Sequence, residues 1–234
     1  MYICEKFVLS VTTCVYCATK AHSVRTHTRV PNYKDTNCLW NNNTFYHFFN
    51  LSIEEFMSIF DKKAVRQAVR AEIAKLSEEE KKLLSASIFE KIHCLEEVQG
   101  ASTIALFISL SDEPQTSTII EQLSHHKRIV VPRIEGEEME FYDISEGLER
   151  GAFGIMEPIA STPIEPSEID VMVVPGVVFT RNGARCGRGK GFYDKYLSRD
   201  GFRAYTIGVC YPCQVVEELP TEPHDRVLDK VIYE

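Results

Sequence analysis

Residues 174–197 read VPGVVFTRNGARCGRGKGFYDKYL, and this stretch decides how the rest of the chain is interpreted. Its centre, GRGKG at positions 187–191, alternates three glycines with Arg188 and Lys190. Glycines allow backbone N–H groups to converge on an anion without interference from a Cβ atom. A helix is predicted to follow directly, so its N-terminal dipole adds favourable charge. The segment therefore predicts a phosphate-binding loop ahead of a helix.

This loop matches neither of two common nucleotide-binding motifs. A Walker A motif would need glycine where Ala184 stands and Ser or Thr where Gly191 stands. The dinucleotide-binding fingerprint would need glycine where Phe192 stands. The alternative interpretation of the loop is a flexible turn with incidental charges. Asp194, inside the predicted helix, either holds Mg²⁺ beside a phosphate or is an ordinary first-turn Asp that favours the helix dipole.

Strand-length apolar runs alternate with helical patterns along most of the chain. The predicted strands are Thr103–Leu110, Arg128–Arg133, Met139–Ile144, Val171–Pro175, Ala204–Tyr211 and an edge strand at Val231–Tyr233. The predicted helices are Lys62–Leu76 with Asp61 as N-cap, one opened by a capping box at Ser77–Glu80, Thr116–Ser124, and one from Gly191 or Phe192 to Leu197. The segment Arg150–Pro166 is predicted to be a loop. The alternation predicts an α/β fold, a three-layer sandwich with a mainly parallel central sheet flanked by helices. This is a Rossmann-like arrangement without the dinucleotide fingerprint.

The first two predicted helices have apolar stripes that indicate which face is buried. In the first helix the stripe consists of Val65, Val69, Ile73 and Leu76. Its basic residues lie largely off that stripe: Lys62, Lys63, Arg66 and Arg70. In the second helix the residues predicted to point inward are Leu83, Leu84, Ile88, Phe89 and Ile92. By itself, the basic side of the first helix is interpreted as a solvated surface.

Composition and charge exclude several classes of protein. The chain has 234 residues, 44% of them hydrophobic and 26% charged, with a net charge of −8, which is ordinary for a globular protein. Proteins that bind long nucleic acids through phosphates carry a basic excess, so nucleic acid is not an expected partner. The chain also has no apolar run long enough to span a membrane, so a membrane is not an expected partner either. Cys14-x-x-Cys17 and Cys210-x-x-Cys213 are interpreted as reduced thiols rather than zinc ligands.

Residues 1–56 differ in character from the rest of the chain. They contain none of the 12 glycines and carry a net charge of +1, whereas residues 57–234 carry −9. We therefore predict a poorly ordered appendage followed by one α/β domain. Three origins are considered for the appendage: a signal peptide around residues 6–18, an organelle transit peptide, or a translated upstream stretch with Met57 as the real start. The last is favoured because the first predicted helix begins within five residues of Met57.

The pattern N-G-x-R-x-G-R-G-K-G-F-Y-D-x-Y-L resembles the signature of the 5-formyltetrahydrofolate cyclo-ligases, also called methenyltetrahydrofolate synthetases. Further landmarks follow in the family's order across Met57–Glu234 and leave residues 1–56 unmatched. They are Lys62–Arg66, Phe107–Ser109 followed by Asp112, Glu113 and Thr116, Val131–Arg133, Phe153–Pro158, Gln214, His224–Asp225 and Asp229–Val231. The chain departs from the family at Phe192, where many members have Tyr, and at Met156, where Pro is common.

The resemblance implies that the protein closes 5-formyltetrahydrofolate to 5,10-methenyltetrahydrofolate and consumes ATP with Mg²⁺. It implies catalytic roles for Arg188, at the transferring phosphoryl group, and for Lys190, at the phosphates. The residues that it implies for nucleotide binding are Lys62, Arg66, Arg185, Gly187, Arg188, Gly189, Lys190, Gly191, Phe192 and Tyr193. Those implied for folate are Ile108, Glu113, Arg133 and Phe192, and those for the metal are Asp194 and Asp225. Arg133 has the alternative role of capping its strand end, and Phe192 and Tyr193 have the alternative of core packing.

Two other functions remain open at this stage. One is a sugar-phosphate isomerase or CoA-transferase-like enzyme, which would need neither the basic residues of the first helix nor a metal carboxylate. The other is a non-catalytic ligand-binding or regulatory domain, which would be expected to lack Arg188 or Asp194. For the favoured function, we expect a monomer that acts in the cytoplasm on small-molecule substrates.

Overall fold

A six-stranded sheet forms the centre of the protein in the computed structural model, which describes residues 62–151, 156–222 and 224–233. All of these residues fall within the unit Phe56–Glu234. The helices are α1 (Lys62–Ile73), α2 (Glu78–His93), α3 (Glu96–Gly100), α4 (Ser117–Ser124) and α5 (Phe192–Leu197). The strands are β1 (Thr103–Ala105), β2 (Arg128–Glu135), β3 (Glu138–Asp143), β4 (Leu148–Arg150), β5 (Met156–Pro158), β6 (Val171–Val174), β7 (Val178–Thr180), β8 (Arg185–Cys186), β9 (Tyr205–Val209), β10 (Val215–Val216) and β11 (Lys230–Ile232). Single 3₁₀ turns lie at Pro166–Glu168 and Pro212–Gln214.

The central sheet has the strand order β11-β9-β6-β1-β2-β3. Every neighbouring pair in it is parallel except the β2–β3 hairpin at one edge. A small sheet of order β10-β7-β8 and a two-stranded pair β4-β5 accompany it. Because β1, β6 and β9 are parallel neighbours, the segments that leave their carboxyl ends emerge at the same edge, where ligands bind in open α/β sheets.

Two apolar clusters cover the two faces of the central sheet, as the alternation of side chains along a strand requires. In β6, Val171 and Val173 belong to the first cluster, with residues of α1, α2, α3 and α4. Met172 and Val174 belong to the second, with Tyr196 of α5. Helices therefore pack on both faces, and the predicted three-layer α/β sandwich is confirmed.

The predicted elements are largely present, with several corrections to their extent. The strand predicted for Thr103–Leu110 ends at Ala105, and the helix predicted to reach Leu76 ends at Ile73. The segment Arg150–Pro166 is not entirely loop, because β5 pairs antiparallel with β4 within it. Strand β11 lies at a sheet edge beside β9, as predicted.

Side-chain placement on the first two helices mostly follows the predicted stripes. Val69 and Ile73 are buried on α1, as are Ile88, Phe89 and Ile92 on α2. Leu83, however, is 72% exposed, so its predicted inward orientation is wrong. The predicted N-cap Asp61 lies outside the described residues. Among the described residues, none of the helices is long and apolar enough to cross a membrane.

Candidate active site

The glycine-rich loop, residues 187–191, joins strand β8 to helix α5. Its entry is fixed by the β7–β8 hairpin, where the turn at Asn182-Gly183 has Gly183 at φ +91°. A Cβ atom on Gly183 would lie 2.1 Å from the Leu228 carbonyl oxygen, so only glycine fits there. Gly191 caps helix α5 at φ 72°, in the left-handed region. An added Cβ there would meet nothing within 4 Å, which leaves open space in front of the helix.

Helix α1 contacts the loop through its basic side. The Arg66 Nε donates to the Gly187 carbonyl oxygen at 2.6 Å, and a Cβ on Gly189 would lie 3.9 Å from the Arg66 guanidinium carbon. One turn earlier, Lys62 Nζ donates to Asp225 Oδ2 at 2.6 Å and to Glu222 Oε2 at 2.7 Å. Lys62 and Arg66 therefore face the site, and the interpretation of the basic side as a solvated surface is wrong for these two residues.

The ion pair between Lys62 and Asp225 shifts the pKa values of both groups. Burial lowers the pKa of Lys62, but the hydrogen bonds from Lys62 to Asp225 and Glu222 outweigh burial and raise it above its ordinary value. Burial raises the pKa of Asp225, but the Lys62 ammonium and the Glu222 backbone N–H outweigh it, so this pKa lies below its usual range. Both side chains are therefore charged at neutral pH.

Arg188 reaches from the glycine-rich loop to the segment that follows strand β1. Its Nε and Nη2 lie 3.0 and 2.8 Å from Oε1 of Glu113, and Nη2 also donates to Asp112 Oδ1. Burial raises the pKa of Asp112, but the Arg188 guanidinium outweighs burial and lowers it below its ordinary value. Arg70 of α1 lies 3.9 Å from the second Asp112 oxygen. The predicted phosphate loop and the predicted folate carboxylate are therefore in direct contact.

Glu113 is held in place from two further directions. It is 5% exposed, and its Oε2 accepts the Leu110 backbone N–H at 3.0 Å. The Tyr211 hydroxyl, in the segment that follows β9, donates to the Glu113 carbonyl oxygen at 2.8 Å. The buried Gln214 in turn accepts the Tyr211 backbone N–H at 2.7 Å and donates to the carbonyl oxygens of residues 176 and 177 at 3.0 Å. Segments that follow β1 and β9 thus meet at Glu113, and Gln214 links them to the segment that follows β6.

Arg185 lies beneath the loop rather than in front of it. Its side chain is 3% exposed, and Nη2 lies 2.8 Å from Asp194 Oδ1 without a well-aligned hydrogen bond. Its Nη1 donates to the Pro175 carbonyl oxygen at 3.3 Å, and its guanidinium carbon lies 5.6 Å from the Tyr193 ring centroid. This placement differs from the predicted direct contact of Arg185 with a nucleotide.

The remaining predicted residues divide between the site and the surrounding core. Lys190 is exposed and makes no ion pair or hydrogen bond with the described residues. Phe192 and Tyr193 are partly buried against the second apolar cluster, and Ile108 against the first. Burial also raises the pKa of Tyr193. For these aromatic residues the structure shows the core-packing role.

Arg133 is engaged away from the loop. Its Nη1 donates to the carbonyl oxygens of Pro158 and Ala160 at 3.1 and 3.0 Å, and its Nη2 to Glu135 Oε1 at 2.7 Å. The guanidinium carbon lies 3.8 Å from the centroid of the Tyr142 ring. Arg133 therefore tethers strand β5 to the β2–β3 hairpin, which differs from the predicted alternative of capping its own strand end, and the folate contact stays a prediction.

Three contact residues were not predicted as site residues: Asp112, Arg70 and Glu222. The available signals were weak. Asp112 is adjacent to Glu113 in sequence, and Arg70 follows Arg66 by one helical turn. Their roles depend on contacts between distant segments, which the sequence pattern alone does not specify.

An open, mainly parallel sheet with a basic glycine-rich loop at its carboxyl edge defines the class of α/β proteins that bind phosphorylated ligands. The sequence profile of the 5-formyltetrahydrofolate cyclo-ligase family matches residues 58–234. The chain belongs to this family and is a ligase, as the resemblance of its glycine segment implied.

Individual relatives agree with this assignment. A 5-formyltetrahydrofolate cyclo-ligase of Mus musculus is 26% identical over a match that covers 74% of this chain and 93% of the mouse protein. The protein of the same name from Haemophilus influenzae is 30% identical, with 71% and 96% covered. The NMR structure of Aquifex aeolicus 5,10-methenyltetrahydrofolate synthetase superposes with a TM-score of 0.67 at 33% identity, covering 74% of this chain and 89% of that one.

Proposed function

We propose that the protein closes 5-formyltetrahydrofolate to 5,10-methenyltetrahydrofolate and converts ATP to ADP and phosphate in a Mg²⁺-dependent reaction. The single observation that carries the proposal is the contact of Arg188 with Glu113. It joins a loop suited to phosphates to a buried carboxylate suited to the N–H groups of a pterin. The family assignment favours this ligase reaction over a sugar-phosphate isomerase or a non-catalytic domain.

The proposed chemistry activates an unreactive formamide. The formyl oxygen attacks the γ-phosphorus of ATP, the bond between the γ-phosphorus and the bridging oxygen breaks, and ADP leaves. The N10 amine of the folate then attacks the formyl carbon, the carbon–oxygen bond breaks with phosphate as leaving group, and N10 loses its proton. Such phosphoryl transfer requires mainly alignment and neutralisation of charge, so the protein contributes positioned cations.

The basic residues of the site divide this work. Arg66 Nε donates to the Gly187 carbonyl oxygen at 2.6 Å, which holds the guanidinium beside the loop. Its remaining N–H groups are proposed to donate to a phosphate bound there. Lys190 is exposed and is suited to bind the phosphates as a mobile point charge. Arg188 is the cation proposed to stabilise the phosphoryl group during transfer.

The two carboxylates proposed for Mg²⁺ each retain an oxygen for a metal. Asp194 Oδ1 forms an ion pair with Arg185 and accepts the Arg226 backbone N–H. Asp225 Oδ2 accepts hydrogen bonds from Lys62 Nζ and the Glu222 backbone N–H. Among the described residues, Asp194 Oδ2 and Asp225 Oδ1 accept no hydrogen bond. Carboxylate oxygens beside phosphates are the ligands that Mg²⁺ prefers, and the ion would neutralise phosphate charge. Glu222 and His224 place potential ligand atoms within 4.8 Å of those of Asp225.

The test is the nucleotide-dependent appearance of near-ultraviolet absorbance from methenyltetrahydrofolate. Product should form only when 5-formyltetrahydrofolate, ATP and Mg²⁺ are all present. Arg188→Ala should lower kcat by about 10²–10³-fold, the usual loss for one preorganised donor to a transition state, whereas Lys190→Ala should mainly raise the KM for ATP. Absorbance change without ATP, or equal effects of both variants on KM alone, would contradict the proposal. The cytoplasm and the monomeric state stay predictions, testable by cell fractionation and sedimentation.

A further inference from the structure

Arg188 belongs by sequence to the glycine-rich loop, which is proposed to bind the phosphates of ATP. Its side chain, however, is bound to Glu113, which is proposed to bind the folate. Two of its nitrogens, Nε and Nη2, contact the same Glu113 oxygen at 3.0 and 2.8 Å. Asp112 accepts from Nη2 as well. The guanidinium is therefore held on the proposed folate side of the site, in a position that we call parked.

Glu113 cannot lose Arg188 without a replacement. Its side chain is 6% exposed, and its Oε2 is already used by the Leu110 backbone N–H. Arg188 supplies the donors to Oε1 among the described residues. A buried carboxylate that loses its partner is strongly unfavourable, so release of Arg188 requires another pair of donors at Glu113.

We propose that Arg188 couples the two substrate sites and that Asp112 is the positioning residue that holds it parked. This inference rests on the proposed function. The amino group and neighbouring ring N–H of a pterin form a donor pair that matches a carboxylate, so folate binding at Glu113 displaces Arg188. The displaced guanidinium is then available to the phosphates. In the reverse order, bound phosphates favour the displaced position of Arg188, and the pterin then supplies the donors that Glu113 needs.

Asp112 sets the strength of the parked state. Its side chain is 30% exposed, and Arg70 lies 3.9 Å from its other oxygen, which keeps the carboxylate directed toward Arg188. The substrate that binds first must break the contacts of Arg188 with Glu113 and Asp112, and this lowers its affinity. The second substrate then binds without having to break them. Coupling of this kind is reciprocal, so each substrate must tighten the other by the same factor.

The experiment is isothermal titration of the full chain with a non-hydrolysable ATP analogue and Mg²⁺, with and without saturating 5-formyltetrahydrofolate, and then in the reverse order. For the wild-type protein we expect each ligand to lower the Kd of the other by the same factor, about 5- to 150-fold. Asp112→Asn should lower the Kd of each ligand alone and bring the coupling factor toward 1. Asp200→Asn, at an exposed position, is the matched control and should change neither.

A second variant protects the test against misfolding of the first. Arg188→Lys keeps the charge but cannot make the two-nitrogen contact with Glu113, so the analogue should still bind while the coupling factor falls. If both ligands bind the wild-type protein but do not affect each other, the coupling is overturned and the proposed function stands. If Asp112→Asn weakens either ligand alone while its melting curve is unchanged, Asp112 is a direct contact and the proposal is wrong. If neither ligand binds the wild-type protein, the proposed function fails, and this inference fails with it.

Discussion

Arg185 shows how a single buried charge can support a binding loop without touching a ligand. Its guanidinium is almost fully buried, with Asp194 on one side and the Pro175 carbonyl on the other. A Cβ on Gly187 would lie 2.8 Å from its Nη1, so the loop passes close over the guanidinium. Arg185 therefore fixes both the loop and the carboxylate proposed for Mg²⁺.

Arg185→Met should destabilise the protein because it leaves Asp194 without its buried partner. Removal of one member of a buried pair costs about 3–5 kcal/mol; Asp194 is 16% exposed, so we expect about 3 kcal/mol. Urea unfolding measures the change. Arg181→Met, at an exposed position, is the control and should stay within about 0.5 kcal/mol of the wild-type protein. A similar small loss for Arg185→Met would show that the buried pair contributes little.

Asp143 provides a test at low pH. Burial raises its pKa, but the Arg128 guanidinium, at 2.8 Å, and the Ser145 backbone N–H outweigh burial, so the pKa lies below its ordinary value. A carboxyl with a lowered folded-state pKa stabilises the fold above its unfolded pKa, near 3.9, and this stabilisation is lost as the pH falls through the folded-state pKa.

We therefore expect Asp143→Asn to reduce the free energy of unfolding by less than about 1 kcal/mol at pH 7, because the pair is partly exposed and screened by solvent. The difference from the wild-type protein should shrink as the pH falls below about 4. Urea unfolding at a series of pH values gives both curves. A difference that stays constant down to pH 2, or grows, would contradict the role assigned to Arg128.

At the scale of the element, helix α2 was predictable from four residues. Ser77-Glu78-Glu79-Glu80 has the capping-box pattern, and in the structure Ser77 Oγ accepts the Glu80 backbone N–H while the Glu80 carboxylate accepts the Ser77 N–H. Local hydrogen bonds of this kind are encoded by neighbouring residues. Leu83 shows the limit of the same approach, since this apolar residue near the stripe is 72% exposed.

Ser77→Ala should destabilise the protein by about 1 kcal/mol, because one N-terminal backbone N–H of α2 loses its acceptor. Ser167→Ala is the matched control, since Ser167 is also exposed but is not one of the two residues whose side chains form the capping box of its turn. Thermal unfolding of both variants should show a lower Tm for Ser77→Ala only. Equal melting temperatures would mean that water satisfies the helix end as well as Ser77 does.

The short strands of the site could not be predicted from sequence patterns. Strands β7, β8 and β10 have three, two and two residues, too few to show a period of alternation. The predicted loop was nonetheless placed correctly ahead of a helix, because its glycines are local signals.

At the scale of the whole molecule, the site is assembled from positions far apart in sequence. Arg188 and Glu113 are 75 positions apart, and Lys62 and Asp225 are 163 apart. The sequence indicated these residues separately through the family resemblance. Their pairing depends on the parallel order of β9, β6 and β1, which brings the segments after these strands together. Neither composition nor periodicity specifies that order.

The family match lies in the later part of the chain, at residues 58–234. Residues 1–56 lack glycine and carry +1, against −9 for the remainder. The pairs Lys62–Asp225 and Arg188–Glu113 both lie within the matched region. We predict that a chain beginning at Met57 folds and turns over 5-formyltetrahydrofolate at the same rate as the full chain.

Both chains should therefore show the same kcat, the same KM for ATP and the same midpoint of urea unfolding. Because α1 begins at Lys62 and supplies Lys62 and Arg66 to the site, a chain beginning at Glu72 serves as the opposite control. It lacks both cations and half of the apolar stripe of α1, Val65 and Val69, so it should lose activity and stability together. If the chain beginning at Met57 behaves like that control, residues 1–56 take part in folding or in the site, and the appendage interpretation is wrong.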